Sequence, residues 1–93
     1  MRPEEKIETQ VCDEAKAAGW IHRKLAFVGV RGAADRLFGK DRRTVVIEFK
    51  APGEHPTRQQ MKRHKELRDA FGWEVYVCSD VPYGRSILGL PGG

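Results

Sequence analysis

The sequence contains few cysteines and no long apolar segment. Only two of its 93 residues are cysteine, Cys12 and Cys78, and their separation does not resemble that of paired metal ligands. This excludes a disulfide scaffold and predicts a reducing, cytoplasmic setting. No apolar run approaches the roughly 20 residues that a membrane-spanning helix needs. Arg2, Pro3 and Glu4 follow Met1 in place of an apolar leader, so we expect neither export nor membrane insertion.

The charge balance is basic. Seventeen Lys and Arg residues against 13 Asp and Glu residues give a net charge of +4 and an isoelectric point near 9.3. A basic small domain indicates an anionic partner, most often nucleic acid, although a merely solubilising surface has the same composition.

Residue patterns predict one α/β domain that spans residues 1–93. A helical apolar period covers residues 3–18, and capping and turn residues delimit the other elements. The predicted order is α-β-β-β-α-β, a mixed central sheet flanked by helices, with a core at about 4–79 and a tail, 80–93, that lacks regular structure. The strands are predicted at 20–28, 34–38, 44–50 and 74–78, and the second helix at 57–71.

Glu48 and Lys50 lie in the segment with the strongest strand pattern. Two residues apart on a strand, they share one face, whereas Val45, Ile47 and Phe49 point to the other. Charged side chains within a buried strand are costly unless they have a partner or a use. The alternative is an edge strand whose second face is in water.

Asp35 strengthens the functional interpretation. A hairpin centred near Asp41 would place Asp35 opposite Ile47 or Glu48, where Cβ atoms lie about 4.5–5.5 Å apart. Two carboxylates at that distance repel each other unless a cation such as Mg²⁺ lies between them. Asp35 could instead form a surface ion pair with Arg31 or Arg36.

Glu8 and Gln60 each allow two interpretations. Glu8 lies on the flank of the apolar stripe of the first helix, as either a site carboxylate or a residue stabilised by the helix dipole. Gln60 completes a capping box with Thr57, but it also begins an inward-facing row with His64, Leu67 and Phe71.

Together, these motifs resemble those of a known nuclease family. The helix glutamate Glu8 is followed by G-V-R-G-A-A-D (29–35), I-E-F-K (47–50), K-A-P-G (50–53) and Q-x-x-x-H (60–64). This order is similar to that of the VRR-NUC (virus-type replication-repair nuclease) branch of the PD-(D/E)XK nucleases, with their restriction-endonuclease-like core. The resemblance covers about residues 7–78. Ala34 replaces the proline of the superfamily motif, and the tail does not read as the helix that usually follows the last strand.

The resemblance implies a role for each motif residue. Asp35 and Glu48 would bind Mg²⁺ or Mn²⁺, with the backbone carbonyl of Phe49 as a further ligand. Lys50 would orient the attacking water, and Glu8 would hold metal-bound water. Gln60 would lie beside the scissile phosphate.

Basic residues near the predicted hairpin are candidates for phosphate contacts. We expect four of them to bind DNA: Arg23, Lys24, Arg31 and Arg36. The second helix should turn its own basic residues, Lys62, Arg63, Lys65 and Arg68, to solvent.

The resemblance therefore implies a metal-dependent DNA endonuclease that acts on branched DNA such as four-way (Holliday) junctions. Alternatives are a less selective nickase or flap nuclease with the same site, and a DNA-binding module without catalysis. We also expect a homodimer, because Ile87, Leu88 and Leu90 in the tail would otherwise be exposed without a covering helix.

Overall fold

A computed structural model describes residues 1–26 and 35–93 of the chain. Arg31, Ala34 and most of the G-V-R-G-A-A-D motif lie outside the described residues. The elements in chain order are α1 (Pro3–Ala17), β1 (Ile21–Leu25), β2 (Asp35–Lys40), β3 (Arg43–Phe49), α2 (Arg58–Phe71), β4 (Glu74–Cys78) and α3 (Val81–Leu88). Across the described ranges, no helix is long and apolar enough to cross a membrane.

The strands form one mixed sheet in the order β1-β2-β3-β4. The pairs β1–β2 and β2–β3 are antiparallel, whereas β3 and β4 are parallel. The connection between the parallel strands runs through α2, as a parallel crossover requires. This arrangement confirms the predicted α/β class with a mixed sheet, and β3 occupies an interior position.

A tight hairpin joins β2 to β3 and sets their register. Asp41 and Arg42 form its two-residue loop. Their positive φ angles, 48° and 66°, are typical of hairpin turns whose backbone twist matches that of the two flanking strands. The ladder pairs Arg36 with Ile47. One step further along the same register, Asp35 stands beside Glu48, which is one of the two positions predicted from the sequence.

The alternation along β3 divides the protein into two layers. Val45, Ile47 and Phe49 are buried in the main apolar core beneath α1, whereas Val46 packs in a smaller cluster with Leu67 of α2. Glu48 therefore lies on the α2 face of the sheet. Both faces of the central strand are covered, which excludes the water-exposed second face considered above.

The prediction that the tail lacks regular structure is wrong, because residues 81–88 form α3. Asp80 caps this helix by accepting a hydrogen bond from the Tyr83 N–H at 2.7 Å. Gly89 ends it in the left-handed conformation at φ 64°. The cap residues are visible in the sequence, but the short length and an internal glycine conceal the helix.

The tail packs into the protein's own core. Ile87, Leu88 and Leu90 are 8, 3 and 5% exposed, and they join the main apolar cluster. Arg85 donates hydrogen bonds to both carboxylate oxygens of Glu14 on α1, at 2.7 and 2.9 Å. The expectation that these apolar residues form a dimer surface is therefore wrong, because α3 itself buries them.

Candidate metal and active site

Three side chains with metal-binding atoms converge on the α2 face of the sheet. Asp35 begins β2, Glu48 lies one residue before the end of β3, and His64 lies in the second turn of α2. The exposed fractions of the three whole residues are 1, 0 and 2%. The Nε2 atom of His64 is 2.8 Å from Oε1 of Glu48 and 3.5 Å from Oδ2 of Asp35.

These buried atoms carry unused hydrogen-bonding capacity. Among the residues that the structure describes, neither oxygen of Asp35, neither oxygen of Glu48 and not Nε2 of His64 makes a well-aligned hydrogen bond. Buried polar groups in native proteins nearly always have partners, so such a cluster requires an explanation. Carboxylate oxygens and an imidazole nitrogen are metal ligands, and the donor set therefore fits a divalent cation.

Two cationic side chains border the cluster. The ammonium of Lys50 lies 3.2 Å from Oε2 of Glu48, as expected for side chains two apart on one strand. The guanidinium of Arg63 lies 3.7 Å from Oδ1 of Asp35, and its side chain is only 11% exposed. The expectation that Arg63 faces solvent is wrong: it is adjacent to the buried His64, on the flank of α2 nearest the sheet.

The electrostatics of the site favour the charged forms of His64 and Glu48. Asp35 and then Glu48 raise the pKa of His64 to about 9, against the opposing effect of burial. Burial acts to raise the pKa of Glu48, but His64 and Lys50 together outweigh it and hold that pKa below its usual value. The cationic imidazole and Lys50 thus offset carboxylate charge within the cluster.

Gln60 forms the predicted capping box. Its Oε1 accepts a hydrogen bond from the Thr57 N–H at 2.9 Å, and its own N–H donates to Oγ1 of Thr57 at 3.1 Å. Gln60 is also buried, on the same face of α2 as His64 and Leu67. Its side chain stabilises the start of the helix that carries His64.

Glu8 does not join the carboxylate cluster but pairs with Arg36. The Nε–H of Arg36 donates to Oε2 of Glu8 at 2.8 Å, and a second guanidinium nitrogen contacts the same oxygen. Arg36 alternates with Asp35 along β2 and points toward α1. The surface ion pair between Asp35 and Arg36 considered above is therefore absent.

The remaining site candidates occupy different environments. Arg23 and Lys24 are exposed on the edge strand β1, whereas Arg36 is engaged with Glu8. Phe49 ends β3 with its side chain buried in the main core. The next residue, Lys50, continues the backbone pairing with a hydrogen bond from its N–H to the Cys78 carbonyl at 2.9 Å.

His64 lies in the Q-x-x-x-H motif, but the sequence predicts no role for it at the site. The signal was the four-residue spacing from Gln60, which puts both side chains on the inward face of one helix. That spacing does not predict where α2 packs along the sheet. The packing position places His64 beside Asp35 and Glu48, and only tertiary contacts determine it.

Comparisons with known proteins agree with this geometry. The fold is similar to that of a solved "VRR_NUC domain", with a TM-score of 0.81 and 22% identity over 96% of this chain and 97% of that chain. The sequence is 37% identical over 75 residues to "Putative nuclease p44" of Acyrthosiphon pisum secondary endosymbiont phage 1. The aligned residues make up 80% of each protein. No protein-family model matches the sequence.

The fold and the site define a class of protein. The α/β order, the mixed sheet and the paired carboxylates followed by a lysine are those of a restriction-endonuclease-like domain. Within that class, the chain has the fold of a VRR-NUC domain, and it belongs to the same family as the phage protein "Putative nuclease p44".

Proposed function

We propose that the protein is a metal-dependent endodeoxyribonuclease that hydrolyses phosphodiester bonds. The observation that carries this proposal is the buried cluster that contains Asp35 and Glu48 and has Lys50 at its border; its carboxylates lack aligned hydrogen bonds within the described residues. A nuclease needs such a cluster, because the attacking water must be activated and the charge on the phosphate must be compensated. The VRR-NUC fold and the relationship to the named phage protein support the same activity.

Asp35 and Glu48 would hold Mg²⁺ or Mn²⁺, with the backbone carbonyl of Phe49 as a further ligand. A bound divalent ion would supply charge compensation and lower the pKa of a bound water. Lys50, 3.2 Å from Glu48, places an ammonium at the border of the site. There it orients the attacking water and offsets the negative charge that develops on the phosphate.

The accessory role of Glu8 requires it to exchange a partner. Glu8 would hold metal-bound water only after its carboxylate leaves Arg36, with which it now pairs. We propose that DNA binding drives this exchange, since a phosphate competes with Glu8 for the guanidinium of Arg36. Gln60 would lie beside the scissile phosphate and donate to it from its side-chain N–H groups, because the capping box uses only its Oε1 atom and its backbone N–H.

Phosphate contacts would come from exposed cations of the β1 edge. Arg23 and Lys24 are exposed there, and Arg36 becomes available when Glu8 is released. Arg31 belongs to the proposed set because it is the arginine of the G-V-R-G-A-A-D motif. Such contacts give affinity and register without sequence information.

We further propose that the substrate is branched DNA such as a four-way junction and that the protein acts as a homodimer. A two-fold dimer presents two sites to two symmetry-related strands. With the apolar tail residues buried, surface apolar groups remain elsewhere: Ile21 and Phe71 are each 62% exposed. These two side chains, on β1 and at the end of α2, are candidates for the subunit contact.

The test is a panel of end-labelled duplex, flap, splayed and four-way DNAs incubated with Mg²⁺ or Mn²⁺. We expect cleavage that a chelator abolishes, with the four-way junction cut fastest. Cleavage of all DNAs at one rate would support the less selective nickase. Binding without cleavage under every metal condition would contradict the proposed activity.

Light scattering of the protein alone and with a four-way junction tests the assembly. A dimer mass is expected in both samples. A monomer mass together with intact junction cleavage would overturn the homodimer while leaving the nuclease proposal standing.

A further inference from the structure

The donor set of the buried cluster includes one nitrogen ligand. We propose that His64 is a third protein ligand of the metal ion in this site and that the site consequently binds Mn²⁺ in preference to Mg²⁺. The inference rests on the metal site of the proposed function, but it concerns which metal is bound and can be tested without DNA.

Distances within the cluster suit direct coordination by the imidazole. Adjacent ligands of an octahedral ion with bonds of about 2.1 Å are about 3.0 Å apart. Nε2 of His64 lies 2.8 Å from Oε1 of Glu48 and 3.5 Å from Oδ2 of Asp35, on either side of that value. All three donor atoms lie within 4.8 Å of one another, so one ion can contact them with small rotations of the side chains.

Burial holds the imidazole at this position. The His64 side chain is 3% exposed and lies on the inward face of α2, between Gln60 and Leu67. Its Nε2 atom makes no aligned hydrogen bond with the described residues, although two carboxylates surround it. A nitrogen that is close to acceptors, buried and not aligned with them is placed for a shared cation rather than for a hydrogen bond.

The chemistry of the ligands determines the preferred ion. Mg²⁺ is a hard ion that selects oxygen ligands and retains several waters. Imidazole nitrogen suits transition metals, and carboxylates suit Mg²⁺, Ca²⁺ and Mn²⁺. Of the two ions proposed for the site, Mn²⁺ is therefore the one that gains most from Asp35, Glu48 and His64 together.

The competing interpretation is that His64 serves only as a charged counter-ion for the two carboxylates. In that case a bound metal would displace the imidazole and never bond to it. The two interpretations differ in a directly observable quantity, the hyperfine coupling between Mn²⁺ and a ligand nitrogen.

Pulsed electron paramagnetic resonance of the full chain loaded with Mn²⁺, without DNA, measures that coupling. We expect nitrogen coupling from one imidazole in the wild-type protein. It should disappear in His64→Asn and persist in His22→Asn. His22 is the matched control, since it is half-buried on β1 with its ring 6.1 Å from that of Phe38. Absence of nitrogen coupling in the metal-loaded wild type, or its survival in His64→Asn, would overturn the proposal.

Calorimetric titration with Mn²⁺ and with Mg²⁺ gives an independent measurement. His64→Asn should weaken Mn²⁺ binding by at least about tenfold and change Mg²⁺ binding by less than about threefold. An equal loss for both ions would assign His64 a purely electrostatic or structural role. Circular dichroism melting establishes that each variant is folded, and the wild-type resonance spectrum decides the question even if His64→Asn does not fold.

The nuclease assay remains separate from these measurements. Nitrogen coupling together with the expected metal preference, but with no cleavage of any DNA, would leave the ligand assignment intact and refute the proposed function. Cleavage without nitrogen coupling would do the reverse.

Discussion

The two faces of the sheet differ in how completely their buried polar and charged groups are paired or hydrogen-bonded. On the α1 face, twelve buried residues of the described part of the chain form one apolar core, and the charged groups Glu8 and Glu14 are paired with arginines. On the α2 face, the apolar cluster has three buried residues among those the structure describes. Beside it lies the buried group of Asp35, Glu48 and His64, whose carboxylate oxygens and Nε2 atom make no aligned hydrogen bond with residues 1–26 and 35–93.

This difference indicates a division of labour within a single strand. β3 alternates Val45, Ile47 and Phe49 toward α1 with Val46 and Glu48 toward α2. Burial of the first set stabilises the fold, at about 25 cal/mol for each Å² of apolar surface. In the second set, Glu48 carries a buried charge, and a buried charge destabilises the folded state unless a partner or a ligand compensates it. A small domain can tolerate such a site because the opposite face supplies most of its stability.

The division predicts that isosteric changes on the α2 face abolish activity. Asp35→Asn and Glu48→Gln each replace a carboxylate that we propose binds the metal ion, and we expect DNA cleavage to fall by at least about 1,000-fold. DNA binding should persist, since each change removes a negative charge that repels phosphate. Single-turnover cleavage of labelled DNA and a binding assay in chelator measure the two effects.

The matched control is Glu66→Gln, which alters an exposed carboxylate on α2. Its cleavage rate should stay within about twofold of wild type. Near wild-type cleavage by folded Asp35→Asn or Glu48→Gln would contradict the assignment of the site.

A substitution of Lys50 tests catalysis separately from metal binding on the same face. Lys50→Ala should lower the cleavage rate by about 100- to 1,000-fold, because it removes the group that we propose stabilises developing charge. Metal binding, measured by calorimetry, should change little. The control is Lys62→Ala on the exposed side of α2. Loss of metal binding in Lys50→Ala would show that the lysine maintains the site rather than acting on the substrate.

Changes on the α1 face should instead reduce stability. Phe38→Ala removes a side chain that is fully buried in the main core, and the expected loss is about 3–5 kcal/mol of unfolding free energy. Val46→Ala, on the other face, removes less apolar volume and should cost less. Urea unfolding measures both values. A larger loss for Val46→Ala would contradict the view that the α1 face supplies most of the stability.

The sequence predicts those parts of this arrangement that depend on residues close together in the chain. The strand alternation of Glu48 and Lys50, the Asp41 hairpin and the capping box of Gln60 each involve residues close together in the chain. Their predicted geometry agrees with the structure. The family motif then joins these local signals into one site.

Long-range packing was not predictable in the same way. His64 and Arg63 reach Asp35 only because α2 packs at a particular height on the sheet. Glu8 meets Arg36 because α1 crosses the opposite face. α3 was missed because Gly84 lies within the helix, where the residue ordinarily weakens helical structure.

Gly84 itself offers a sharper test of the α1 face. A Cβ atom at this position would lie 2.7 Å from Cγ2 of the fully buried Val11, so α1 and α3 approach too closely for alanine. Gly84→Ala gains about 1 kcal/mol of helix propensity, but crowding a stiff valine costs about 1–3 kcal/mol. We expect a net loss of about 1 kcal/mol by urea unfolding. In a Val11→Ala background the same change should become neutral or stabilising, and persistence of the loss there would contradict the crowding argument.

The smallest expected effect concerns an ion pair at the end of β3 away from the site. Arg43 donates to both carboxylate oxygens of Glu74, and this pairing holds the pKa of Glu74 at about 2, below the usual 4.5. Because the pKa is lowered in the folded state, the stabilisation is present above about pH 4.5 and is lost as the pH falls toward 2. The Arg43 and Glu74 side chains are 42 and 37% exposed, so solvent screening limits the contribution to less than about 1 kcal/mol. Urea unfolding at neutral and acidic pH should show that Glu74→Gln loses less stability on acidification than wild type, whereas Glu66→Gln behaves as wild type. An equal loss in Glu74→Gln would show that this pair contributes nothing to the acid sensitivity and that the carboxylates elsewhere, on both faces of the sheet, account for all of it.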